Sequence, residues 1–113
     1  HLSVIDGFEA MEGNGPSEGD PVSWKVALAS TDALATDVTA ATLMGFDPDE
    51  VGYLHYCKMM GLGAGDLDQI QIVGNATADD CARRFRPHDT VHRQRRWQLS
   101  GAENYLQPHR SNP

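Results

Sequence analysis

Cysteine is scarce in this 113-residue chain, with only Cys57 and Cys81, 24 positions apart. Two thiols are too few for a disulfide framework, and their separation is not that of a metal-binding pair. No apolar run approaches the ~18–20 residues that a membrane span needs. The N-terminus also lacks the basic segment and apolar stretch of a secretion signal. Internal repeats and coiled-coil heptads are missing, and aromatic residues make up only 7% of the chain. These absences exclude a disulfide scaffold and a membrane-spanning protein, and they favour a cytoplasmic location. Positive charge is missing from most of the length, since residues 1–80 hold only Lys25 and Lys58.

The residues present suffice for one folded unit. The chain is 40% hydrophobic and 22% charged, which excludes a disordered or collagen-like polymer. A chain this long buries roughly two-thirds of the surface its unfolded form exposes, enough for one core. Charge is unevenly divided. Residues 1–80 carry 14 acidic groups against two lysines, giving −12, whereas residues 81–113 carry two acids against seven arginines, giving +5. This predicts an acidic α/β body over 1–80 and a basic C-terminal tail over 81–113. Arg93, Arg95, Arg96 and Trp97 superficially suit nucleic acid. A net charge of −7 argues against it, because phosphate contacts dominate such affinity. The tail is expected to lie on the acidic body or on another copy.

Leu2–Phe8 has β-branched residues at its centre and stops at Asp-Gly, which reads as a strand. Ala10–Pro21, with three glycines and two prolines, reads as a long loop. Trp24–Ala29 is a second strand, buried on both faces. Leu34, Val38 and Ala41 then recur at helical spacing between an N-cap at Thr31 or Asp32 and a terminating Gly45. A second helix starts with Asp47 as cap, Pro48 in its first turn and Glu50 in a box-like position; it runs to about Met60 with Tyr53, Cys57 and Met60 on one face. Ile70–Val73 reads as a third strand. The expected fold is α/β: a small, mostly parallel or mixed three-stranded sheet with two main helices, and a tail with one short helix at Thr90–Leu99. Such a sheet needs cover on both faces, so an exposed apolar surface is expected.

Five ordered blocks stand out: Ser3-Val4-Ile5-Asp6-Gly7, Met11-Glu12-Gly13-Asn14-Gly15-Pro16, Gly19-Asp20-Pro21, Ser30-Thr31-Asp32-Ala33-Leu34-Ala35-Thr36-Asp37 and Leu43-Met44-Gly45-Phe46-Asp47. Together they resemble the family called domain of unknown function 362 over about residues 2–75. The resemblance implies an uncharacterised α/β domain of bacteria and archaea, found at times in proteins that also carry iron–sulphur clusters. Domains of that family extend upstream of the strand matched by Leu2–Phe8, so the chain looks like a C-terminal fragment. Its expected partner is the missing N-terminal portion or another copy of itself. Any cluster is expected only on the missing portion, since cluster ligation by cysteine usually takes four thiolates.

The chemistry legible in the residues is acidic. If the strands are parallel, Asp6, Asp32 and Asn75 follow strand ends on one edge, where ligands gather in open α/β sheets. Glu12 and Asn14 leave from the same edge, and Asp37 flanks the first helix. Asp6, Glu12, Asn14, Asp32 and Asp37 are thus the candidate ligand site, suited to a hard divalent cation. The blander alternative makes Asp32 a cap, Asp6 and Asn75 turn formers and Asp37 a flank residue. Three carboxylates and no cation in Glu12–Asp20 argue against phosphate binding there. His88 and His92, spaced i, i+4 beside Asp89, are weak metal candidates, with helix capping as the simpler role. His55 and Cys57 fall on different faces of one helix, and Cys57 suits a core. Two functions follow: a redox-associated, iron–sulphur-linked protein with an acidic strand-end site here, or a non-catalytic binding or assembly domain whose charged tail docks a partner.

Overall fold

A computed structural model describes residues 1–106. The tail positions Pro108, Arg110 and Pro113 lie outside the described residues. Strands β1 (Ser3–Asn14) and β2 (Glu18–Ser30) form one antiparallel hairpin, with Ser3 opposite Ser30 at the open end and Asn14 opposite Glu18 at the tip. Helices α1 (Ala33–Leu43) and α2 (Gly52–Met59) follow, then two single-turn helices, α3 (Ala78–Cys81) and α4 (Val91–Gln94). No described helix is long and apolar enough to cross a membrane.

The fold is α/β, but the sheet corrects the expectation twice. First, Ala10–Pro21 is the distal half of the hairpin and not a loop. Its glycines and prolines fit a ribbon because both strands are edges: Pro21 stands opposite Met11, and Gly13 pairs with Gly19. The reversal itself takes only Gly15–Ser17. Second, the sheet has two antiparallel strands among the described residues, not three with parallel character. Ile70–Val73 is extended at Ile70 (φ −105°, ψ 118°) but pairs with no strand among the described residues. Its β-branched residues favour a pleated backbone, yet a strand needs a neighbouring edge within hydrogen-bonding reach.

Helix α1 forms as its sequence indicates. The Asp32 carboxylate accepts the Ala35 N–H at 3.0 Å, and Gly45 follows the last turn at φ +83°. Leu34 and Val38 bury against Leu54 of α2, with Ala41, Val51, Cys57 and Ile70 packed around them. The second helix starts where expected, with the Asp47 carboxylate accepting the Asp49 N–H at 2.9 Å. It then breaks: Pro48–Glu50 is a 3-10 turn, Val51 is extended, and α2 begins at Gly52. The break turns Leu54 inward and leaves Tyr53, expected in the core, more than half exposed.

The tail folds back along the body. Arg83 and Phe85 donate their N–H groups to the carbonyls of Leu43 and Met44, and Gly13 donates to the Arg86 carbonyl at 2.9 Å. Phe85 is 3% exposed and meets Trp24 edge-on at 5.1 Å. Trp24 in turn donates its indole N–H to the Cys81 carbonyl at 2.8 Å. Further on, the predicted tail helix is α4 followed by a 3-10 segment, Arg95–Leu99, which brings Trp97 against His55 and Tyr56 of α2. The expected exposed apolar surface is present: Leu2, Val4 and Phe8 of the hairpin are each more than half exposed. Phe85→Ala is expected to lower the unfolding free energy by about 3–5 kcal/mol, as for other buried aromatic truncations, measured by denaturant titration with Trp24 emission as the probe.

Candidate functional site

At the hairpin tip the arm Phe85–Asp89 is held by groups distant in sequence. The Arg86 N–H donates to Glu12 Oε2 at 2.9 Å, and its guanidinium pairs with Asp20 on the opposite strand. Asn14 and Asp89 exchange two hydrogen bonds, Nδ2 to the carboxylate at 2.7 Å and the Asp89 N–H to Oδ1 at 3.0 Å. Gly13, at φ +76°, makes the crossing possible, since a Cβ there would stand 2.7 Å from Arg86 Nη2.

The arm closes one side of a cleft of about 500 Å³. Helix α1 ends on its floor with Met44 and Phe46, Met11 enters from the hairpin, and Phe85, Val91 and Trp97 complete the apolar wall. Trp97 lies directly on Gly52, where a Cβ would meet the indole at 3.1 Å, and donates to the Glu50 carbonyl at 3.2 Å. The ionic groups on the rim are mutually engaged: Arg86 with Asp20, Arg95 with Glu50, and Glu12 with the arm backbone. Three lining carboxylates (Glu12, Asp47, Glu50) face two lining arginines, so the rim is slightly negative. His88 also lines the cleft; its Nδ1 accepts the Thr90 N–H at 3.1 Å, which places the neutral ring's proton on Nε2.

The predicted site residues are spread over the molecule. The strand-end premise fails because the sheet is antiparallel: β1 ends at the tip and β2 at the open end. Asp6 lies opposite Ala27, about 20 Å along the strand from Glu12 at ~3.3 Å per residue. Its Oδ1 accepts the Phe8 N–H at 3.0 Å. Asp32 caps α1 and also accepts the Ala64 N–H at 2.8 Å. Asp37 accepts the Tyr53 hydroxyl at 3.1 Å. Of the five carboxylate and amide candidates only Glu12 lines the cleft; Asn14 sits at the hairpin tip, and each is engaged by the arm. His88 precedes α4 and His92 lies within it, while Asp89 turns to Asn14. Asn75 sits in the exposed stretch after Val73. Among the described residues no three His, Cys, Asp or Glu side chains converge as a metal site. Cys57 and Cys81 are both free, and two thiols do not fit an iron–sulphur cluster. Met44, Phe46 and Arg86 carry no ligand-binding signal in the sequence, whereas Arg95 and Trp97 belong to the basic, aromatic cluster of the tail.

Two ionisable groups outside the cleft report on packing. Partial burial pushes the Tyr53 phenol from 10.0 up to about 12, with the Asp37 charge and hydrogen bond acting in the same direction. Lys58 is held above the usual lysine range by its hydrogen bonds to Asp66 and Asp49, against a smaller opposing effect of burial.

Residues 1–42, which span the hairpin and most of α1, match the family model of a domain of unknown function (DUF362). Over 61 residues, 54% of this chain, the sequence is 36% identical to the thylakoid-associated protein sll1697 of Synechocystis sp.. The matched stretch is 19% of that curated relative's length. No solved structure matches the chain.

Gly13→Ala is expected to destabilise the fold by roughly 1–2 kcal/mol from the left-handed backbone alone, and further through the displaced guanidinium. In an Arg86→Ala background the further part disappears, so a double-mutant cycle on denaturant midpoints isolates the crossing contact. For Tyr53, the folded chain holds the phenolic proton more tightly than the unfolded chain does. Its stabilisation is therefore complete below pH 10 and is lost as pH rises through about 12. Tyr53→Phe is expected to flatten the decline in thermal midpoint over that window.

Proposed function

We propose, for a chain whose first 42 residues match the DUF362 family model, that it acts as a non-catalytic binding domain whose hairpin-tip cleft holds a compact apolar ligand, aromatic in part and neutral or weakly cationic. The observation that carries this reading is the cleft of about 500 Å³, in the range of small-molecule sites, with apolar walls built from three separate parts of the chain. Trp97 and Phe46 offer flat faces, and Met11 and Met44 offer adaptable, polarisable walls. The slightly negative rim disfavours an anion. Its arginines are already paired, which suits shaping the cleft more than transferring a proton.

The tail makes this cleft by docking on the acidic hairpin, so its charge serves the domain's own assembly. The redox-associated, iron–sulphur-linked role that the family resemblance implies would reside outside these residues, because Cys57 and Cys81 are the chain's only thiols. The matched stretch corresponds to about a fifth of the curated relative's length, and that relative's thylakoid association makes a thylakoid-associated location part of the proposal.

Nile red, a neutral aromatic dye, tests the cleft. Saturable fluorescence enhancement is expected, with Met44→Trp weakening it about tenfold by filling the floor, a loss of roughly 1.4 kcal/mol. Phe8→Ser, which alters the exposed hairpin face, is expected to leave binding unchanged. Equal binding by Met44→Trp and loss in Phe8→Ser would place the dye on the open sheet face and overturn the reading.

A further inference from the structure

His88 stands near the end of the arm, half-buried, and lines the same cleft as Trp97 and Phe46. It is held by a relay of hydrogen bonds that runs in one direction. Gln94 Nε2 donates to the Thr90 hydroxyl oxygen at 2.9 Å, and that hydroxyl lies 2.9 Å from His88 Nδ1. The Thr90 backbone N–H also donates to Nδ1, at 3.1 Å. A ring nitrogen that accepts an N–H carries no proton of its own, so the hydroxyl donates to it as well. The proton of the neutral ring is fixed on Nε2 by what Nδ1 accepts.

The direction of the ring follows from the same bonds. Its Nδ1 edge is tied to Thr90, which does not line the cleft, whereas His88 itself does. The edge turned to the cleft is therefore the one that carries Nε2–H. That donor has no acceptor among the described residues. The neighbouring side-chain donors are engaged: Trp97 with the Glu50 carbonyl, Gln94 with Thr90, and Arg86 and Arg95 each with a carboxylate. Given a ligand in this cleft, as proposed above, we infer that His88 selects it. The ligand is a neutral aromatic molecule with a carbonyl oxygen, which accepts from His88 Nε2 while its ring lies among Trp97, Phe46 and Met44.

This narrows the ligand class on both sides. A protonated amine offers only donors, so it sets N–H against N–H at His88. A carboxylate offers acceptors but meets the unpaired negative charge of Glu12 and Asp47 on the same rim. A carbonyl group supplies the acceptor without the charge. Half-buried beside apolar walls, the Nε2–H group loses part of its hydration when a ligand enters, and an apolar ligand with no acceptor leaves that loss uncompensated. Thr90 is a positioning residue here: it holds the tautomer through Nδ1 and does not reach the cleft.

The probes are acetophenone and 2-phenylpropene, which share a shape and differ in C=O against C=CH2. Each is titrated into the full 113-residue chain, with binding read from the amide shifts of Val51, Gly52 and Val91 in the cleft wall. His88→Phe keeps a ring and removes the donor. It is expected to weaken acetophenone about fivefold, the range of one hydrogen bond, and to change 2-phenylpropene less than twofold. Thr90→Val keeps the side-chain shape and removes the hydroxyl. It is expected to lower the preference for acetophenone about twofold and to raise the Nδ1-protonated share of His88 in long-range ¹H–¹⁵N spectra, which a purely structural role would not move. Equal weakening of both probes by His88→Phe overturns the role of His88, as does a proton found on Nδ1 in the unaltered chain. Should His88→Phe not fold, Thr90→Val and the tautomer decide alone. Binding of both probes without dependence on His88 or Thr90 overturns this selectivity and leaves the cleft as a ligand site; binding of neither overturns both.

Discussion

Trp24 is the point through which the separate parts of this chain are tied together. Its ring covers Gly7 on the neighbouring strand, where a Cβ would stand 2.7 Å from it. Its indole N–H reaches the Cys81 carbonyl, and its ring meets that of Phe85 in a T-shaped contact. One side chain thus connects β1, β2, the end of α3 and the start of the arm. A two-stranded ribbon has little independent stability in water, and α1 covers only part of it. The apolar area that Trp24 and Phe85 remove from water is what makes the tail part of the fold.

Charge then orients what packing holds. The tail's ion pairs with the body, Arg86 with Asp20 and Arg95 with Glu50, are partly solvated and worth ~0–1 kcal/mol each. They do not hold the tail by themselves. They select which face of the acidic body receives it, and they leave the cleft rim with its arginines already committed. The same division between body and tail gives Arg86 and Arg95 of the basic segment their complement within the chain's own sequence.

Legibility followed the range of the interactions. The boundaries of α1 were readable because Asp32, Ala35 and Gly45 act within a few residues of one another. The start of the second helix was readable for the same reason, but its break at Val51 was not, because Glu50 turns to Arg95, 45 residues away, instead of back to its own cap. The distal hairpin was missed because proline and glycine break a central strand yet are tolerated in a ribbon, and strand number is a tertiary property. Two of the candidate residues, at the hairpin tip, are engaged by the arm. Glu12 and Asn14 are structurally important, but their partners, Arg86 and Asp89, lie 74 and 75 residues on. The asymmetry of charge pointed to an acidic body meeting a basic tail; nothing in it named the pairs.

One backbone irregularity divides the hairpin in two. Gly7 stands opposite Val26 and Glu9 opposite Ser23, so Phe8 faces both Trp24 and Lys25, and Lys25 takes a left-handed conformation at φ 60°. Before this bulge the odd-numbered residues of β1, Ile5 and Gly7, share a face with the even-numbered residues of β2; beyond it, Ala10 and Glu12 do. The ribbon is therefore two short ladders in series, each with its own phase, joined at the bulge. A change of length or register near the open end is absorbed at Lys25 and does not rotate Glu12 or Asn14 away from the arm. The two ends of one hairpin can diverge in sequence, and take up separate roles, without disturbing each other.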